Sequence, residues 1–290
     1  MFTNESWRGA SMLNLVVALK AEAAPLIAHY GLRARAPKGL FALYESSHEN
    51  DGVALVVSGV GKTAAAGAVT YLHAVTGEPQ HAAWLNIGIA GHRDHALGTL
   101  WLAHKITDAA ANRNWYPPQI LASTLMSREL LCVDTPEAGY TGDALYDMEA
   151  AGFYAAACRC STAELVQCLK IISDNAQSPA NTPGNPLKAR DVEALVAAQL
   201  PAITDYAEAL EKLARQLQSR QLPDDELQPY LQHWHFTVTQ RHQLKTLLQR
   251  RRALQPGQPL WREEYRQLPT GKQVLAAIQQ QVDSLAVRFA

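Results

Sequence analysis

Residues Leu145 to Asp174, LYDMEAAGFYAAACRCSTAELVQCLKIISD, decide how the rest of the chain is read. ALYDME, ending at Glu149, reads as a strand that delivers Met148 and Glu149 to its end. AAGFYAAAC reads as the alanine-rich helix that follows, and QCLKIISD as a second apolar strand closing on Ser173 and Asp174. Glu149 and Asp174 thereby stand at the carboxyl ends of two strands of one α/β unit, where open α/β sheets bind their ligands.

Upstream, Met12 to Leu19 (MLNLVVAL) is an almost unbroken apolar run, the pattern of a strand buried on both faces. KAEAAPLIAHYG then predicts a short helix closed by Gly31. Phe41 to Ser46 and Val53 to Ser58 read as strands, and Gly59 and Gly61 as a tight turn into a helix over Lys62 to Ala74. Ala82 to Ile87 is a further buried strand followed by the glycine-bearing GIAGH, and Thr99 to Lys105 is another. Ala109 to Pro118 carries turn and loop signals. Short strands are expected at about Leu121 to Met126 and Glu129 to Val133, with TPEAGYTGD as a loop. Beyond Asp174, NAQSPANTPGNP reads as a polar loop and Leu187 to about Leu217 as a long helix.

From Gln221 the character changes. The tail is rich in Gln, Arg and Leu, lacks strand signals, and holds 9 Lys/Arg against 6 Asp/Glu, whereas residues 1–220 hold 17 against 21. Three segments are therefore expected: a disordered N-terminal stretch over 1–11, a principal domain over 12–220, and a helical C-terminal extension over 221–290. With 48% hydrophobic residues the chain can bury a sizeable core, and its net charge of −1 makes no global demand for nucleic acid. No run approaches the roughly 20 apolar residues of a membrane span. The N-terminus lacks the build of a signal peptide. Cys132, Cys158, Cys160 and Cys168 have no CxxC spacing and sit among apolar residues, which reads as reduced thiols and a cytoplasmic location.

Several local signals have plain readings. SGVGKTAAAG suggests a phosphate loop, but the glycine required five residues before Gly61 is Val56, so Lys62 and Thr63 are read as the first turn of an ordinary helix. His233, His235 and His242 do not form a metal set, since the first two face different ways on a helix and no cysteine or carboxylate completes them. Arg250 to Arg252 near Trp261 and Tyr265 are read as a solvated face or favourable helix C-terminal charges rather than a grip on nucleic acid. On pattern alone Glu22 is a helix-surface charge or a site residue, and Asp174 a helix cap or an acid. Glu149, next to an alanine-rich helix, needs a partner if buried.

Taken in order, these pieces resemble the nucleoside phosphorylase superfamily over about residues 12 to 218, nearest its methylthioadenosine/S-adenosylhomocysteine nucleosidase branch. VVALKAEAAPLI resembles the family's opening strand with its catalytic glutamate, falling on Glu22. SGVGKTAAAGA resembles its glycine-lysine turn, WLNIGIAGH (with Ile89 and Gly91) its NTG-x-AGG segment, DMEAAGFYAAA its VEMEA motif, and KIISD its ISD motif. The resemblance implies a three-layer αβα fold with a mixed central sheet, to which the helical extension is appended. It implies cleavage of an N-glycosidic bond: Asp174, beside Ser173, protonates the purine leaving group, Glu149 accepts from the 2′- and 3′-hydroxyls, Met148 lies against the sugar, and Glu22 deprotonates the attacking water. It implies no metal or organic cofactor, a small-molecule nucleoside partner, and a homo-oligomer, commonly a dimer. Trp115 and Tyr116 either stack on the base or 5′ substituent or pack within their loop. The region after the first strand, ALKAEA, carries no arginine for phosphate, which favours hydrolysis over phosphorolysis. Two positions depart from the branch: Ile89 replaces a serine, and Lys170 an arginine that would bind in bidentate fashion.

Overall fold

Leu13, Leu15 and Val17 pack into one apolar cluster and Val16 into another, so β1 (Leu13–Val17) feeds a core on each face of a sheet. A computed structural model describes residues 13–35, 39–46, 52–76, 81–137, 139–178 and 187–285, apart from the side chain of Asp224. The expected disordered stretch 1–11 and positions 179–186 of the polar loop lie outside the described residues.

After β1 come α1 (Lys20–Tyr30), β2 (Arg33–Ala34), β3 (Ala42–Glu45), β4 (Val53–Val57), α2 (Lys62–Thr76), β5 (Ala83–Gly91) and β6 (Leu100–Asp108). Then follow β7 (Arg113–Trp115), β8 (Ser127–Cys132), β9 (Leu145–Asp147), α3 (Ala150–Cys160), β10 (Val166–Asp174) and α4 (Ala189–Ser219). The strands form one mixed ten-stranded sheet in the order β10-β6-β8-β9-β5-β1-β4-β3-β2, with β7 on β6. β10 also pairs with β5, so β5, β10, β6, β8 and β9 close into a ring. Helices α2 and α3 cover one face through Ala65, Leu72, Ala150 and Phe153. Helices α1 and α4 cover the other through Leu26, Val196, Ile203 and Leu210. This is the three-layer α/β architecture with a mixed sheet.

Left-handed backbone at Gly31 (φ 61°) ends α1, and Gly59 and Gly61 (φ 82° and 105°) make the turn into α2. Three expectations are corrected. The strand expected over Ala82 to Ile87 continues to Gly91, because Gly88 to Ala90 pair along β10 and Gly91 pairs with Tyr146. The stretch expected as loop over Ala109 to Pro118 contains β7, which folds back on Ile106–Asp108 through a turn at Asn112 (φ 48°). Leu121 to Met126 is not a strand: Leu121 and Leu125 pack on the α1/α4 side of the core without joining the ladder.

The chain divides into two compact units, Met1–Gln218 and Ser219–Ala290. The second is helical, with α5 (Asp224–His233), α6 (Val238–Leu254) and α7 (Gly271–Ser284) around Tyr230, Phe236, Leu248 and Ile278. Its Arg251 corrects the solvated reading of the arginine run. Arg251 is buried and donates to the carbonyls of Leu260 (2.8 Å) and Pro259 (3.1 Å) and to the Tyr265 hydroxyl (3.1 Å). Only by spending its donors on oxygens does a buried guanidinium avoid a large desolvation cost. Among the described residues no helix is long and apolar enough to cross a membrane, and no group of three His, Cys, Asp or Glu is placed to hold a metal ion.

Candidate active site

The carboxyl ends of β1, β5, β9 and β10 open into a cavity of about 570 Å³ in the first unit, within the range that small-molecule sites occupy. Its walls include Glu22, Ile89, Gly91, Met148, Glu149, Ser173 and Asp174, so one cavity gathers seven of the residues singled out in the sequence. Val60, Val133, Pro136, Leu187 and Val192 make the remaining wall largely apolar.

Glu22 is buried in the first turn of α1. Its Oε2 accepts the backbone N–H groups of Ala18 and Leu19, each at 2.8 Å, and its Oε1 that of Ile89 at 3.0 Å. The Ile89 main chain thus holds Glu22, while its side chain adds no polar group to the cavity wall. Burial pushes the Glu22 carboxyl above its ordinary value, while the Ile89 N–H and the Lys170 ammonium pull it back. Gly88 makes this approach feasible, since a Cβ there would stand 3.0 Å from Glu22 Oε1 and 3.3 Å from Lys170 Nζ.

Lys170 corrects one expectation, because it does not line the cavity. It is fully buried beneath it, with Nζ 2.8 Å from Asp147 Oδ2. Burial alone would lower its pKa, but Asp147 and Glu149 outweigh that and hold it as a cation. Asp147 also accepts the Ala150 N–H at 2.9 Å, which fixes the start of α3. Glu149 Oε1 accepts the Gly61 N–H at 2.8 Å, so the turn before α2 orients this carboxylate. Three carboxyl groups share one ammonium here. Burial, followed by repulsion from Asp147, lifts Glu149 to about 7.

Asp174 is pinned at both oxygens: the Ser173 hydroxyl donates to Oδ1 at 2.5 Å, and the Tyr140 hydroxyl to Oδ2. Gly91 lies under this pair, where a Cβ would meet Tyr140 Cε1 at 2.6 Å and Asp174 Oδ2 at 2.9 Å. Sequence reasoning missed Tyr140, Tyr146 and Asp147. Asp147 adjoins Met148 in a stretch already singled out, while the glycines flanking YT (Gly139, Gly142) were the only sign at Tyr140. Trp115 and Tyr116 do not line the cavity. The β6–β7 hairpin turns Trp115 onto the α2/α3 side of the core, with Arg113 over its ring at 4.8 Å, and leaves Tyr116 67% exposed.

Behind Gly91 a column of rings supports the site. His92 stacks on His95 (3.7 Å), His95 on Trp101 (4.0 Å), and Arg128 lies over Trp101 (5.4 Å). His92 Nδ1 accepts the N–H groups of Asp94 (3.0 Å) and His95 (3.1 Å), so the ring proton sits on Nε2, 3.3 Å from Asp143 Oδ1. Protonating Nδ1 would break both bonds. Burial, with Arg128 also opposing and Asp143 and Asp94 favouring the charged form, lowers the His92 pKa. A histidine depressed in the fold stabilises fully above its unfolded value near 6.5 and loses that contribution as pH falls through the folded value. Glu149, raised in the fold, works in the opposite direction. The expected result is therefore a difference: between about pH 7.5 and about pH 5.5, melting temperatures should fall further in the wild type than in His92→Gln.

No protein-family model matches the sequence, and no curated protein matches it. Solved structures do. The 5′-methylthioadenosine nucleosidase of Arabidopsis thaliana superposes with a TM-score of 0.54 at 19% identity, over 70% of this chain and 97% of that one. The 5′-methylthioadenosine/S-adenosylhomocysteine nucleosidases of Helicobacter pylori (0.52, 14% identity, 69% and 99% covered) and Neisseria meningitidis (0.52, 17%, 70% and 99%) are similar in the same way. The chain has the nucleoside phosphorylase fold. Nearly the full length of each nucleosidase is matched, and the remainder of this chain has no counterpart in them. On the nucleoside phosphorylase fold of this chain, Glu22, Glu149 and Asp174 face a single cavity.

Proposed function

We propose that this chain hydrolyses the N-glycosidic bond of a purine nucleoside or a 5′-modified adenosine. The observation that carries the reading is three carboxyl groups on one cavity, each held differently: Glu22 by three main-chain donors, Glu149 by Gly61 above a buried ammonium, and Asp174 by two hydroxyls. Water attacks C1′ as the C1′–N9 bond breaks, and the bonding pair leaves with the purine. Glu22 takes the water proton, Asp174 supplies one to N7, and Glu149 accepts from the ribose hydroxyls. Met148 offers the sugar an apolar, polarizable surface. Phosphate would meet an anionic cavity: among the described residues Lys20, an exposed side chain, is the one lysine or arginine on its wall, and Lys170 is committed to Asp147. Water is therefore favoured as acceptor.

The test is free-base release from adenosine, inosine, 5′-methylthioadenosine, S-adenosylhomocysteine and uridine, with and without phosphate. Release without phosphate, lost in Asp174→Asn, is the expected result; release only with phosphate would require a phosphorylase mechanism. A second reading, a weak or inactive nucleoside-binding module whose helical unit meets a partner, is favoured by the Tyr140 hydroxyl already bound to Asp174. We also propose a cytoplasmic homo-oligomer; Tyr116, Ile120 and Met126 are exposed apolar side chains that a second copy would cover.

A further inference from the structure

Tyr140 reaches the site through its hydroxyl, which donates to the Asp174 oxygen that a purine must approach. Its ring is buried, seated on Gly91 and edge-on to Tyr146 (5.7 Å), on a residue with φ 41°, a conformation that a bulky side chain seldom adopts. A positive φ at tyrosine persists only where its surroundings over-determine it. Here the surroundings are the floor at Gly91 and the Tyr146 ring. The Gly142 N–H donates to the Tyr146 hydroxyl (2.9 Å), and Asp143 pairs with Arg128 (2.9 Å) and His92 (3.3 Å). The phenol donates to Asp174 Oδ2 from the cavity wall, so a base approaching that oxygen meets the phenol first.

We propose that Tyr140 is a specificity-determining latch: a base gains Asp174 only by exchanging with the phenol. The inference rests on the proposed role of Asp174 as the base-facing acid. Because the competent state is only a fraction of the free protein, apparent affinity is reduced by that fraction. A ligand that brings no hydrogen-bonding edge to replace the phenol leaves Asp174 under-satisfied and is discriminated against. The step is a non-covalent exchange, so no bond is made or broken.

Hydrogen exchange of the ligand-free full chain, together with titration by free adenine, tests this. In Tyr140→Phe, backbone exchange over residues 139–147 should accelerate roughly tenfold while β1 and β4 stay protected, and adenine should bind roughly tenfold tighter. Asp174→Asn weakens the same bond from the other side and should accelerate the same segment. With a turned-over nucleoside, Tyr140→Phe should lower KM. Unchanged exchange in both variants overturns the latch, as does weaker adenine binding in Tyr140→Phe, which would make the phenol a ligand contact. Accelerated exchange with no adenine binding by either protein overturns the reading of the cavity as a base site, and the latch with it.

Discussion

Gly152→Ala should be the most damaging single methyl in the first unit. A Cβ on Gly152 would stand 1.9 Å from the Lys62 carbonyl oxygen, 2.6 Å from its carbon and 2.8 Å from Lys62 Cα. These are main-chain atoms at the start of α2, so no rotamer change relieves the overlap and α3 must move away. That displacement would open the packing of Ala65 and Val69 against Ala150 and Phe153. It would also pull Glu149, directly before α3, from the Gly61 N–H that orients it. Overpacking costs about 1–3 kcal/mol where side chains can yield, and a clash of backbone on backbone belongs at or beyond the upper end. At about 2–4 °C per kcal/mol for a unit of this size, a loss near 3 kcal/mol lowers the first unit's melting temperature by roughly 6–12 °C. Gly67→Ala is the control. That glycine also lies in α2, but its Cβ would meet only the Phe41 ring edge at 3.3 Å, and alanine is the better helix former. Calorimetry of both variants should show a large fall for Gly152→Ala and almost none for Gly67→Ala. Equal melting temperatures would mean that α2 and α3 do not meet through Gly152.

The contrast between those glycines shows what a sequence alone can and cannot disclose. Gly31 was readable as a turn position because it closes a helical pattern, and Gly59 and Gly61 because they lie between an apolar run and one; all three have a positive φ. Gly88 and Gly91 were not readable as strand, since glycine normally interrupts a ladder. They extend β5 because neighbours pair along it and because Glu22, Lys170 and Tyr140 need the space a side chain would fill. Long apolar strands were legible from composition. The β6–β7 hairpin was not, because its turn depends on a left-handed asparagine at position 112.

The site divides along the same line. Glu22 and Glu149 stand at junctions between apolar runs and helices, and Asp174 at the end of an apolar run, so their placement near strand ends could be read from pattern. Asp147 and Lys170 could not be paired in advance, because what joins them is the packing of β9 and β10 around β5. Tyr140 lies in a segment without periodicity, and only the folded loop sets its hydroxyl on Asp174.

Glu149→Gln should separate stability from activity. The folded carboxyl, raised to about 7 by burial and then by Asp147, favours its neutral form more than the unfolded chain does. In linkage terms the native state holds the extra proton between the ordinary value of 4.5 and about 7, so the cost of ionising Glu149 accumulates as pH rises through that window and is complete above it. A glutamine keeps an oxygen for the Gly61 N–H and never ionises. At about pH 8 the variant should therefore melt at or above the wild-type temperature, and the two should converge as pH falls toward 4.5. Catalysis runs the other way. Only the ionised carboxylate can accept from both ribose hydroxyls, so kcat/KM in the wild type should climb with an apparent pKa near 7 rather than at an ordinary carboxylate value. Glu149→Gln should lose about a hundredfold or more of kcat/KM, the scale expected when a preorganised charged acceptor is removed. An acid limb that stays near 4.5, or a Glu149→Gln variant that turns over normally, would show that ionisation of this carboxyl is not what the reaction requires. A variant that is less stable at high pH would instead show that Glu149 is held as a charge by Lys170, and that the ammonium, rather than burial, dominates the pocket floor.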